Sequence, residues 1–233
     1  MTTFILVPGM WHGGWSFKPI TTALRELGHV VHPLTLTGIS ERSHLLNGGV
    51  NLETHIADVT ALLEVEDLIE VVLVGHSYGG MVITGAADRA PDRVRALVYL
   101  DAVVPADGDS QWSLVTDRER EWYQDVEMNG YAVKPLSFLD DRTTAHPLAS
   151  VFQPLRLTTG LRHIERREYV YASNWNGPSP FTAVSQALRH DENWTVHDLK
   201  TGHNIMGEAP LECVEILLAA AGGSKTSSSP RER

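Results

Sequence analysis

A single cysteine, Cys213, stands in the whole chain, so no internal disulfide can staple the fold. No apolar run approaches the roughly 20 residues that a membrane-spanning helix needs. The N-terminal MTTFILVPGMW has no basic segment ahead of its short apolar run and does not read as a secretory signal. Basic residues are in the minority: 19 Lys and Arg against 29 Asp and Glu leave a formal net charge of −10. No Lys/Arg run is long enough to form a nucleic-acid patch, and the mixed-sign stretch from Arg162 to Arg167 reads as a solvated helix face. Metal-ligand spacings such as H-E-x-x-H are missing; His29 and His32 would face opposite sides of a strand. These absences predict a soluble, cytoplasmic protein with no metal or other cofactor and no nucleic-acid or membrane partner. They leave its oligomeric state open.

What is present is a core-forming composition. Of 233 residues 42% are hydrophobic, and Cys213 falls in the apolar register of the last helix as a small core residue. The first half alternates short apolar runs with amphipathic stretches. Strands are predicted at Phe4–Val7, His29–Leu36, Glu70–Val74 and Val94–Leu100. Helices are predicted from about Phe17 to Leu27, from Leu52 behind an Asn51 cap, and from Tyr78 to Ala90 ahead of Pro91. This rhythm implies a parallel sheet covered by helices on both faces. It breaks after Pro105. A strand returns at Arg167–Ser173, followed by a helix behind Ser179-Pro180, a strand at Trp194–Leu199 and a last helix at Glu208–Ala221. In that last helix Leu211, Val214 and Leu218 share a face. The expectation is one α/β domain over 1–221 with a lid inserted at about 106–165, then a disordered tail at 222–233.

The chemistry centres on VVLVGHSYGG, in which Ser77 sits between glycines where a buried run meets a helix. G-x-S-x-G in that context is the nucleophile elbow, a turn so sharp that residues two either side of the serine must lack a Cβ. Gly75 and Gly79 meet that demand, and Gly80 allows close packing of the helix. The bland reading is a serine capping an ordinary helix. A serine hydroxyl needs a base, and His203, in TGHNIM after the last strand, stands where this turn's base is supplied. His12 and His76 lie on the wrong loops. His29, His32, His55, His163, His190 and His197 fall in predicted elements and read as structural; His44 and His146, in loops, stay open. The acid's common position after the strand at Arg167–Ser173 reads SNWNGPSPF and holds no carboxylate. Asp101, ending ALVYLD, is the candidate instead, ahead of Asp140, Asp141 and Asp191. The backbone N–H groups of Met10, in PGMWHGGW, and of Tyr78 would form the oxyanion hole. Gly9, Gly13 and Gly14 do not have dinucleotide-loop spacing.

With those residues in place the chain resembles the α/β-hydrolases. It is closest to their small branch of plant methylesterases, hydroxynitrile lyases and bacterial esterases such as pyrethroid hydrolases. The carrying segments are FILVPGMWHGGW, LTGISERSHLL, LVGHSYGGMVITGAADR, LVYLDAVVP and TGHNIM. Three departures stand out. Pro8-Gly9 replaces the usual His-Gly, the late acid is missing, and Asn204 stands where the plant lyases carry a Lys. An acid after the earlier strand resembles the haloalkane dehalogenases, whose Asp nucleophile Ser77 excludes. The resemblance implies a serine carboxylesterase for a small-molecule ester, lactone or thioester, working through an acyl-enzyme. Trp11, His76, Trp112, Trp122, Tyr123 and Phe138 are its candidate pocket residues. The alternatives are carbon–carbon bond cleavage, as in a hydroxynitrile lyase or a β-dicarbonyl hydrolase, and a non-catalytic small-molecule receptor.

Overall fold

The computed structural model describes residues 1–175 and 179–222. Its main sheet has six strands: β1 (Thr3–Val7), β2 (Val30–Pro33), β3 (Val71–His76), β4 (Val94–Leu100), β7 (Arg166–Ala172) and β8 (Trp194–Leu199). They run in the order β2-β1-β3-β4-β7-β8 and every pairing is parallel. A separate two-stranded ribbon, β5 (Ala132–Val133) and β6 (His146–Pro147), lies in the segment between β4 and β7.

Alternation along each strand sends side chains to two cores. Phe4, Leu6, Val72 and Val98 pack with Ile20 and Leu24 of α1 (Lys18–Glu26) and with Cys213 and Leu217 of α9 (Pro210–Gly222). Ile5, Val7, Leu73 and Leu97 pack on the other face, against Ile56 and Val59 of α2 (Leu52–Val65) and Val82 and Ala86 of α3 (Gly79–Arg89). Fully enclosing each such side chain contributes about 1.5–3 kcal/mol, so this two-sided burial fixes the strand register. The helix signals act as expected. The Asn51 side chain accepts from the Thr54 N–H at 3.1 Å, and Gly28 takes a positive φ of 83° just past α1.

Three expectations are corrected. β2 is shorter than His29–Leu36. His29 lies outside it, its Nδ1 accepting the Thr2 N–H at 3.2 Å, and Pro33, which has no N–H, closes the strand. The last helix begins at Pro210, after a short turn α8 (Ile205–Glu208), because proline cannot continue a preceding helix. Of its expected face Val214 is buried and Leu218 packs on the core, beside Cys213 and Leu217, whereas Leu211 is 69% exposed. Arg162–Arg167 is not a helix face. A single 3-10 turn covers Gly160–His163, and the Arg167 guanidinium donates to the Leu161 and Ile164 carbonyls at 2.6 and 3.2 Å as β7 starts. Of the expected tail, 223–233 lies outside the described residues.

Between β4 and β7 run α4 (Gln111–Leu114), α5 (Asp117–Trp122), the β5–β6 ribbon and α6 (Leu148–Phe152). The segment is tied down at its far end by Asp88 of α3, whose buried carboxylate accepts from the Thr158 N–H, the Thr158 hydroxyl and the Gly160 N–H at 2.7–3.0 Å. Among the described residues no helix is long and apolar enough to cross a membrane.

Candidate active site

β3 delivers Ser77 into a left-handed backbone conformation, φ 53°, directly before α3. Such a conformation costs a non-glycine residue about 1–2 kcal/mol, so surrounding bonds must hold it. The Ser77 N–H donates to the Leu100 carbonyl at 3.3 Å, and the Ser77 carbonyl accepts from the Gly80 and Val103 N–H groups at 3.1 and 3.3 Å. The glycines leave room for this turn. A Cβ on Gly75 would sit 2.7 Å from the Gly79 carbonyl oxygen, and one on Gly79 would run into the Val7 carbonyl. Gly80 faces the Val103 carbonyl, in the loop after β4.

Asp101 is the next turn of the same kind, one strand over. It ends β4 with φ 41°, is completely buried, and donates its N–H to the Val170 carbonyl at 2.7 Å. Its Oδ1 accepts from the Ala172 N–H at 3.2 Å, which leaves Oδ2 for the His203 Nδ1 at 2.7 Å. His203 rides on the loop between β8 and α8. An ionised acid that accepts from Nδ1–H fixes the tautomer in which Nε2 carries a lone pair. Asp140 is committed elsewhere, to the Arg142 guanidinium at the surface, where that cation holds its carboxyl well below the usual carboxylate range. Asp191 binds the Asn193 N–H and side chain.

The His203 ring is boxed by aromatics. Phe181 of α7 (Pro180–Leu188) stacks on it at 5.2 Å and 6°, Trp175 meets it edge-on at 4.9 Å, and His76 lies 4.4 Å away. His76 Nε2 donates to the His203 carbonyl at 2.9 Å, a bond from the residue before Ser77 to the loop carrying the imidazole. Burial, with the neighbouring His203 second, drives the His76 ring well below the usual histidine range and keeps it neutral.

Ser77 and His203 line one cavity of about 1090 Å³, which Met10, Trp11, His76, Trp122, Tyr123 and Phe138 also line. Among the described residues the Ser77 hydroxyl has no hydrogen-bond partner; pairs of this kind commonly tighten only when substrate is bound. Trp112 is not in the cavity. It packs in the segment between β4 and β7 against Phe152 at 4.9 Å and Tyr123 at 6.5 Å. Sequence reasoning missed Trp15, Trp175 and Phe181, which do line it. The acid-free segment after β7, where Trp175 stands, was the available signal. The Tyr78 side chain turns inward, its hydroxyl donating to His55 Nδ1 at 2.9 Å, so only its backbone is turned to use at the elbow. Neither the Met10 nor the Tyr78 N–H is taken by another group among the described residues. Gly9 approaches so closely that a Cβ there would sit 2.9 Å from the Ser77 Cβ. The arrangement brings a hydroxyl and an oriented imidazole to one cavity, a set suited to acyl transfer. Among the described residues no three His, Cys, Asp or Glu side chains cluster as a metal ion would need.

A family model described as the alpha/beta hydrolase family matches residues 4–216. The chain belongs to the alpha/beta hydrolase family. This hydrolase is 38% identical over 241 residues to the carbendazim hydrolyzing esterase of Nocardioides sp. (strain SG-4G), covering 94% of this chain and 99% of that one. It is 29% identical over 171 residues to methyl jasmonate esterase 1 of Vitis vinifera, covering 71% and 61%. Among solved structures, an extracellular alpha/beta-hydrolase from a Paenibacillus species matches with a TM-score of 0.80 at 21% identity, over 96% of this chain and 100% of that one. A pyrethroid hydrolase from Sphingobium faniae JZ-2 matches with a TM-score of 0.69 at 20% identity, over 94% and 97%. The hydrolase is of the esterase type.

Proposed function

We propose that this hydrolase cleaves small-molecule carboxylic esters through a Ser77–His203–Asp101 triad and an acyl-enzyme. The observation that carries the reading is the 2.7 Å bond from the buried Asp101 to His203 Nδ1, beside a serine held on a glycine-flanked turn in the same cavity. His203 Nε2 takes the Ser77 proton as Oγ bonds to the ester carbonyl carbon. The oxyanion so formed is stabilised by the Met10 and Tyr78 N–H groups, a contribution of about 2.7–4 kcal/mol per donor. Collapse expels the alcohol, which takes the proton from His203. Water then repeats the sequence on the acyl-enzyme and releases the acid.

The walls favour flat, apolar groups: Trp11, Trp15, Trp122, Phe138 and Phe181 all line the cavity. The Nocardioides relative is described as hydrolysing carbendazim, so carbendazim and short aryl esters are the compounds to test first. Ser77→Ala is expected to lower kcat by at least about 10³-fold on such esters and to abolish labelling by a phosphonate ester. Retention of most activity by folded S77A would refute the assignment.

A further inference from the structure

The proposed oxyanion donors come from two loops that are not neighbours in the chain, the one after β1 and the elbow after β3. Both meet the same side chain, His146 of the lid ribbon. Trp11, next to Met10, is held at φ 66°. Its N–H donates to His146 Nδ1 at 3.5 Å, its indole N–H to the Val133 carbonyl at 3.2 Å, and its carbonyl accepts from the Thr144 N–H at 3.1 Å. All three partners belong to the segment carrying β5 and β6. On the other side, the edge of the Tyr78 ring meets the His146 ring at 4.8 Å and 79°, and His55 closes the cluster at 5.8 Å from His146.

The proton assignment leaves one solution. A backbone N–H can only donate, so Nδ1 of His146 must carry a lone pair and Nε2 must carry the proton. Nε2 then donates to Ser150 Oγ at 2.9 Å, and the Ser150 hydroxyl gives its own proton to the Pro147 carbonyl at 2.7 Å. Both rings of the cluster are neutral, since burial pushes His146 well below the usual histidine range and His55 to about 4. The peptide that joins Met10 to Trp11 is gripped at both ends. His146 holds its N–H, and His12 Nδ1 donates to its oxygen, the Met10 carbonyl, at 2.7 Å. A gripped peptide holds the plane that follows Met10 and so narrows the rotations open to the Met10 N–H.

We infer that His146 is a positioning residue for the oxyanion site: from the lid it aligns the loop that bears the Met10 donor with the turn that bears the Tyr78 donor. It touches neither substrate nor Ser77, and it sets the relative placement of two amides that must converge on one oxygen. Misplacing such a group by about 1 Å costs on the order of 10²-fold in rate. The inference rests on the esterase reading of the site.

The test is His146→Leu beside His146→Asn, whose side-chain oxygen can replace Nδ1 as acceptor for the Trp11 N–H. Steady-state kinetics on a short p-nitrophenyl ester would be read together with the affinity for an aryl boronic acid, which mimics the tetrahedral adduct. The expected result for H146L is a kcat about 10- to 100-fold lower, KM changed less than about threefold, boronate affinity falling in parallel with kcat, and recovery of most of kcat in H146N. If H146L folds and keeps wild-type kcat and boronate affinity, or if KM rises while kcat holds, the inference is overturned. Should H146L not fold, Ser150→Ala decides. It removes the acceptor that anchors the Nε2 side of the His146 ring, and an unchanged kcat there overturns the inference equally. S77A separates the two levels: activity surviving in S77A sinks the esterase reading itself, whereas inactive S77A with wild-type H146L sinks the role of His146 alone.

Discussion

Replacing Asp101 by Asn exchanges one oxygen for an NH2 group and leaves shape unchanged, so its effect isolates the function of the carboxylate. The structure dictates which way the new amide must face. The buried Ala172 N–H lies 3.2 Å from Oδ1 and requires an acceptor. Turning the amide so that NH2 meets that N–H would leave a buried donor unpaired, at about 1–3 kcal/mol. The amide oxygen therefore goes to Ala172, and the NH2 points at His203 Nδ1 across the 2.7 Å contact. Nδ1 must then accept, the ring carries its proton on Nε2, and it cannot take the proton of Ser77. In a Ser-His-Asp system this tautomer change lowers kcat about 10⁴-fold, which at 1.36 kcal/mol per factor of ten is a barrier higher by about 5.4 kcal/mol. The side chain keeps both of its hydrogen bonds, so unfolding temperature should shift little. The assay is steady-state hydrolysis of a p-nitrophenyl ester, with circular dichroism confirming the fold. Folded D101N with kcat within about tenfold of the parent would show that the Asp101–His203 bond is structural and that the proton-transfer argument is wrong.

Two further outcomes concern stability. Gly80→Ala drives a Cβ into the Val103 carbonyl, which is backbone and cannot swing away. The turn at Ser77 must move, so esterase activity should fall together with unfolding temperature, and G80A with parental values of both would contradict the elbow geometry. Acid should weaken the fold through its buried imidazoles. Burial lowers the His55 ring from 6.5 to about 4, with the Thr37 carbonyl opposing, and burial lowers His76 and His146 in the same direction. The unfolded chain takes up protons below about pH 6.5 that the folded chain refuses at His55 until about 4. Stability is therefore full above that range and is lost as pH falls through it, by about 3 kcal/mol for His55 alone. Urea midpoints measured from pH 7.5 to 4 would show this decline; a flat profile would mean these rings are protonated in the folded chain.

The parts legible in the sequence are those where local chemistry admits few solutions. Val94–Leu100 and Trp194–Leu199 match β4 and β8 residue for residue because continuous apolar or alternating runs bounded by turns leave no other register. Gly75 and Gly79 announce the elbow because no larger residue fits there. Asp101 was readable as a polar residue closing an apolar strand, and His203 by its place after the last one. What was not readable depends on how the segment between β4 and β7 folds. Trp112 and Trp122 carry no local mark to say that one packs on Phe152 while the other lines the cavity. His146, one of two histidines left open, gains its meaning only from partners 135 and 4 positions away. Leu211 fits the apolar repeat of α9 as well as Val214 does, yet it is exposed where it lines the edge of the cavity.

The carboxylate that grips His203 comes from β4, a strand bonded to neighbours on both edges, and not from the segment that follows β7. That leaves Trp175 to wall the cavity and to edge the His203 ring. An engineer can therefore reshape the cavity at residue 175, trading its indole for smaller or more polar groups, while the Asp101–His203 bond stays anchored in the sheet.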